Sequence, residues 1–397
     1  MTNTPFLDAA TGLLDDIVAV RRDIHANPEL GLDNSRTQGV ILEGLSGLGF
    51  SITTGAALTS VVADIESPHD GPTVLLRADS DALPLQEDSP VDFASTTDGK
   101  MHACGHDAHV AMLLGAARLL SEHRNELPGN VRLMFQPGEE GFHGARHMID
   151  EGVLEGVDRA FAIHVTPNLP AGFMASKAGP LMASADEFDI TVLGRGGHAS
   201  APHQCTDPIP AAAEIVTNFQ TMVTRTIDTF APGVVTVANL HAGTTRNVIP
   251  ETARIEGTIR SVDENSREKL HTGIERVASH IASAHDCGCK IHIERGYPVT
   301  VNNPEQFALM GQMADQALGP DHFIPMPTPV MGAEDWSYVL QKVPGAMGFL
   351  GVCPPDIENF FEAAPVHSNL MRLNEAAMPA GVAMHFAMAM AVVEGSP

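Results

Sequence analysis

Between His102 and His109 the chain carries three imidazoles (His102, His106 and His109), one thiol, Cys104, and one carboxylate, Asp107, inside eight residues. Thiolate, imidazole and carboxylate are the ligands that zinc and its divalent neighbours accept. Gly105 lets the backbone turn so that Cys104 and His106 can face one ion. A polar loop around a structural thiol would use the same residues, because free cysteine packs as a small hydrophobe. The metal reading therefore needs further ligands elsewhere.

Three more places offer them. An apolar run over residues 131–136 leads into Pro137, Gly138, Glu139, Glu140 and Gly141. This puts two carboxylates on a strand-end turn, where α/β sheets place their sites. Adjacent side chains cannot share a direction, so one carboxylate can bind metal while the other faces a metal-bound water. A second strand ends at His164, and His367 precedes a helix. Taken singly, the glutamates read as a solvated turn and His164 as a hydrogen-bonded core histidine. Together the segments supply Cys, His, Glu, His and His at strand ends or helix starts of one sheet. That is enough for two ions sharing a bridging water. Such ions acidify water and polarise a carbonyl, and a nearby carboxylate moves the proton to the leaving amine.

These side chains must be held by strands that alternate with helices. Short apolar runs predict strands over residues 61–66, 73–78, 131–136 and 161–165, with a helix over 108–120. The pattern is that of an α/β sheet covered on both faces. From residue 186 it changes. A strand over 187–193 precedes a helix striped by Ala212, Ile215, Val216, Phe219, Met222 and Val223. Strands near 234–240 and 253–261, a helix with Leu270, Ile274, Val277 and Ile281, and a strand over 289–294 complete the order βαββαβ, the ferredoxin-like unit. The expected organisation is a catalytic domain in two parts, residues 1–184 and 297–397, with an inserted α+β domain at 185–296.

Composition narrows the class. A chain of 397 residues, 44% hydrophobic and 18% charged, is globular and long enough for two domains. Its net charge of -26 repels phosphate backbones and anionic membranes, so neither nucleic acid nor membrane is an expected partner. Five scattered cysteines (Cys104, Cys205, Cys287, Cys289 and Cys353) form no disulfide framework and suit a reducing cytoplasm. Residues 1–20 lack the features of a secretion signal; Phe6, Leu7, Leu13, Leu14, Ile17 and Val18 read as one stripe of an amphipathic helix.

The run from Arg77 to Pro84, the His102–His109 cluster and the run from Phe135 to Gly141 resemble the N-acyl-amino-acid amidohydrolases, which include hydrolases of hippurate and of indole-acetyl amino acids. Gly196 to His203, Asn247 to Pro250 and Gly332 to Tyr338 extend the resemblance over nearly the whole chain. It implies two divalent ions, manganese first with zinc or cobalt as alternatives. Their ligands would be Cys104, His106, Glu140, His164 and His367, with Glu139 as catalytic base and Asp79 orienting a ligand. It also implies a homodimer made by the inserted lid domain. His198 would reach a facing site to hold the oxyanion, and Asn247 and Arg260 would hold the substrate's carbonyl or carboxylate. Two departures stand out: Trp336 replaces a common Phe, and the stretch after His367 lacks the usual aromatic and first acidic positions. The rival readings are a dipeptidase or carboxypeptidase on the same scaffold, a non-catalytic metal-binding regulator, and a thiol enzyme built on Cys104.

Overall fold

The computed structural model describes residues 5–127 and 129–393. The chain divides into two compact units, residues 1–179, 301–328 and 338–397 in one, and 180–300 with 329–337 in the other.

The first unit is built on an eight-stranded mixed sheet. Its first five strands in chain order are β1 (Ser51–Thr54), β2 (Val61–Ile65), β3 (Thr73–Asp79), β4 (Asn130–Gln136) and β5 (Arg159–Thr166). In space the order is β1, β2, β4, β3, β5, then Gly345–Gly351, Met174–Ser176 and Phe323–Pro325. β3 runs parallel to both β4 and β5. Both strands flanking β3 are thus later in sequence, and the chain reverses its direction of travel across the sheet there. Right-handed crossovers to opposite sides put the helices His106–Glu122 and Gly144–Asp150 on opposite faces. The carboxyl ends at such a reversal form a crevice.

β3 and β5 are buried almost throughout, as expected for strands covered on both faces. Helix His106–Glu122 is sunk as deeply: only Arg118, Ser121 and Glu122 escape burial. It packs against helices Leu14–His25 and Met378–Val393. Gly115 permits that approach, since a Cβ there would meet Val382 and Ile17 methyl groups at 2.8 and 2.9 Å. The amphipathic stripe expected at the N-terminus is carried by two helices rather than one, Pro5–Thr11 and Leu14–His25. The chain breaks between them, and the Thr11 hydroxyl turns back to bond the Leu7 carbonyl. Residues 1–4 lie outside the described part.

The second unit has an antiparallel sheet whose spatial order is Gly233–Ala242, Thr252–Ser261, Asp186–Leu193 and Gly288–Glu294, with helices Pro208–Thr226 and Glu264–Ala284. This is the ferredoxin-like arrangement. One apolar core joins sheet and helices, with Phe188, Ile190, Ile215, Phe219, Ile255 and Leu270 at its centre. Among the described residues, no helix is long and apolar enough to cross a membrane.

Candidate metal centre

Four segments of the first unit converge at the carboxyl ends of β3, β4 and β5. Gly105 caps the helix His106–Glu122 with φ +88°, and a Cβ there would lie 2.4 Å from a Val165 methyl. Only glycine makes this turn, which sets Cys104 and His106 on either side of it. Cys104 Sγ then lies 3.3 Å from His164 Nε2 at the end of β5. The turn after β4 is gripped by Asp81: its two carboxylate oxygens accept the backbone N–H groups of Glu139 and Glu140 at 2.9 and 3.0 Å. His367 enters from the loop following Gly345–Gly351. Its φ of +68° is unusual for a side chain other than glycine. Its N–H donates to the Ala103 carbonyl at 2.8 Å, and its Nε2 lies 3.2 Å from Glu140 Oε1.

All five expected ligands and Glu139 are thus brought together. The donor atoms of Cys104, His106 and His164 lie within 4.8 Å of one another, as do those of Cys104, Glu140 and His367, and those of His106, Glu139 and Glu140. Ligands about 2.0–2.3 Å from one ion adopt such spacings, and two of the groups share Cys104. His106 is fully buried, yet neither of its nitrogens makes a hydrogen bond among the described residues. The nearest carboxylate oxygens, of Asp79 and Asp81, stand 3.5 Å away. A buried imidazole so placed suits coordination better than core packing.

The electrostatics agree. Burial pushes the Cys104 thiol well above its ordinary range, and the carboxylates of Glu140, Glu139 and Asp79 push the same way. Burial pushes His164 well below its ordinary value. At His106 burial opposes the proton, but Asp79, Asp81 and Glu140 outweigh it and raise the imidazole to about 10. What Cys104 and His106 share, besides burial, is a sunken group of carboxylates that calls for positive charge. A divalent ion would meet that demand, and its charge would favour the thiolate over the thiol. The residues present fit metal.

Asp79, expected as an orienting carboxylate, is fully buried and meets Arg77 Nη1 and His109 Nδ1, both at 2.5 Å. In the second unit, pairing of Gly197–His198 with Val248–Ile249 sets exposed His198 beside exposed Asn247. The Ser200 N–H donates to His198 Nδ1 at 3.1 Å, which leaves Nε2 as the protonated nitrogen. Arg260 lies on strand Thr252–Ser261 of the same unit, opposite Val234 and partly buried. Trp336 is fully buried.

Asp81 was missed by the sequence reading, although its place two residues after Asp79 puts both carboxylates on one side of an extended chain. Asn369 was missed as well. Its Nδ2 donates to Asp88 at 2.6 Å and its carbonyl accepts the Asp88 N–H at 2.9 Å. The loop carrying His367 is supported in this way, without the aromatic and acidic positions it lacks.

Fold and cluster together define a metal-dependent hydrolase. The chain belongs to peptidase family M20/M25/M40, whose model matches residues 75–391. It is 44% identical over 341 residues to thermostable carboxypeptidase 2 of Saccharolobus solfataricus, spanning 85% of this chain and 86% of that one. It is 39% identical to IAA-amino acid hydrolase ILR1-like 2 of Arabidopsis thaliana over 381 residues, 95% of this chain and 85% of the relative. The crystal structure of Bacillus subtilis YXEP protein, a dinuclear metal binding peptidase from the M20 family, superposes with a TM-score of 0.84 at 33% identity. The match covers 96% of this chain and 99% of that one. The protein is a hydrolytic, metal-binding enzyme of this family.

Proposed function

We propose that the protein hydrolyses the amide bond of N-acyl amino acids, releasing a carboxylic acid and a free amino acid. The observation that carries this reading is the overlap of ligand groups at Cys104, with Glu139 beside them. Two divalent ions held by Cys104, His106, Glu140, His164 and His367 would polarise the scissile carbonyl and acidify water. Glu139 takes the proton from the attacking water and delivers it to the departing nitrogen. His198 of a neighbouring subunit, its Nε2–H directed by the Ser200 bond to Nδ1, donates to the developing oxyanion. Asn247 holds the carbonyl, and the planar fork of Arg260 grips the α-carboxylate. Asp79 orients the ligand His106.

The same reading takes manganese as the working ion ahead of zinc or cobalt. It takes a homodimer formed through the second unit as the working assembly and the cytoplasm as its place, where the five free cysteines stay reduced. The likeness to a carboxypeptidase favours a second reading, cleavage of a C-terminal residue from short peptides on the same machinery.

Side-by-side assays of N-acetyl amino acids, N-benzoyl amino acids and dipeptides, with manganese, zinc or cobalt restored to chelated protein, separate the two. Faster turnover of the acyl substrates is expected. Turnover confined to peptides would overturn the acyl reading, and full activity after chelation with block by thiol alkylation would point to Cys104 as a nucleophile.

A further inference from the structure

We propose that His109 is a positioning residue of the metal centre, an imidazole with its proton on Nδ1 that bridges Asp79 to the strand carrying His164. The inference rests on the proposed metallohydrolase reading and assigns a duty to a histidine of the His102–His109 cluster that the ligand set leaves unused.

The hydrogen bonds define the tautomer. His109 is almost wholly buried. Its Nε2 lies 2.8 Å from the Val165 backbone nitrogen, which can only donate, so Nε2 is the acceptor and carries no proton. The ring proton therefore sits on Nδ1, 2.5 Å from Asp79 Oδ1. The other Asp79 oxygen faces Arg77 Nη1 at 2.5 Å and His106 Nε2 at 3.5 Å.

The sheet explains why a backbone N–H is open to a side chain here. Pairing of β3 with β5 ends at Arg77 opposite Ala162, three residues before Val165, while the other edge of β5 stays paired through Thr166 and Gly351. Where β3 and β5 part, the Val165 N–H would be buried without a partner, at a cost of about 1–3 kcal/mol. His109 fills that gap from the first turns of the helix that begins at His106. The rings of His106 and His109, three residues apart on one helix face, stack at 5.4 Å, and His109 meets the His164 ring edge-on at 4.8 Å. One imidazole thus ties together the helix that carries His106, the carboxylate that faces His106, and the strand that carries His164.

A histidine serving only as core filling would show neither of two separable arms. In His109→Asn the side-chain amide nitrogen overlays Nδ1, keeping the donor to Asp79 and losing the acceptor for Val165. In His109→Gln the amide oxygen overlays Nε2, keeping the acceptor and losing the donor. Manganese and zinc affinities of the metal-depleted proteins, measured by competition with a chromophoric chelator, are the first readout. His109→Gln should weaken metal binding by roughly 10- to 100-fold, the usual effect of removing a partner behind a ligand. His109→Asn should stay within about threefold of wild type, although both variants lose thermal stability. Equal affinities in the two variants would overturn the positioning role through Asp79. The second readout is the ring nitrogen spectrum of 15N-histidine-labelled wild-type protein, assigned with the variants. A protonated Nδ1 and a bare Nε2 are expected, and a proton on Nε2 would overturn the tautomer. Wild-type protein that binds neither ion would instead refute the proposed function, while the tautomer would still be read from the spectrum.

Discussion

Glu139 and Glu140 share a turn but not an environment. Glu140 is drawn to His367 and lies in the same ligand group as Cys104. Its carboxyl is held low because His367, His106 and Cys104 together outweigh the burial that opposes its charge. Glu139 is more deeply buried, and the grip of Asp81 on both backbone N–H groups fixes the two directions at once. A proton shuttle needs a carboxylate, and an amide of the same shape cannot substitute. Glu139→Gln should lower kcat by roughly 10²- to 10⁴-fold while metal content stays at the wild-type level. Cys104→Ala should lose metal along with activity. Elemental analysis and steady-state kinetics on the same preparations check both, and an active Glu139→Gln enzyme would remove it as the base.

At the scale of elements, the helix Leu14–His25 is pinned to the helix His106–Glu122 by buried charge. Arg21 Nε and His25 Nδ1 both reach Asp107 Oδ2, at 3.0 and 2.8 Å, and His25 Nε2 lies 3.1 Å from Glu87. Burial opposes the charge on His25, but Asp107 and Glu87 outweigh it and raise the imidazole to about 9. A folded pKa above the unfolded one gives stability that is whole below about pH 6.5 and is lost as pH rises through about 9. As much as about 3 kcal/mol is at stake. Urea unfolding of metal-depleted protein should show wild type losing that increment between these limits, whereas His25→Gln starts lower and declines less. Parallel curves would contradict the assignment. This network also marks the limit of what the residues reveal in linear order. The strands, the ferredoxin-like unit and the clustered candidate ligands are legible because hydrophobic period and donor type are local properties. The partners behind the ligands are not. Asp81 meets Glu139, His109 meets Val165, and His25 meets Asp107 only after segments 56 to 82 residues apart are folded together. The break in the N-terminal stripe was equally hidden, because both halves keep the same apolar face.

At the scale of the whole molecule, the proposed mechanism asks one chain for chemistry in each of its two units. The first unit holds Glu139 and the ligand groups, while the second presents His198 on its surface with Nε2 protonated. If His198 serves the site of a neighbouring subunit, activity belongs to the pair and defects on different chains should complement. Glu139→Gln protein keeps a good His198 but no base, and His198→Ala protein keeps the base but no oxyanion donor. Each alone should be nearly inactive. When the two are unfolded, mixed in equal amounts and refolded, random pairing makes half of the dimers mixed, and one site in each mixed dimer is complete. Activity should return to about a quarter of the wild-type value, with a KM unchanged from wild type because every working site is intact. A mixture no more active than the sum of its parts would place His198 with its own chain's site or outside the reaction. Sedimentation of the refolded mixture distinguishes that result from a failure to dimerise.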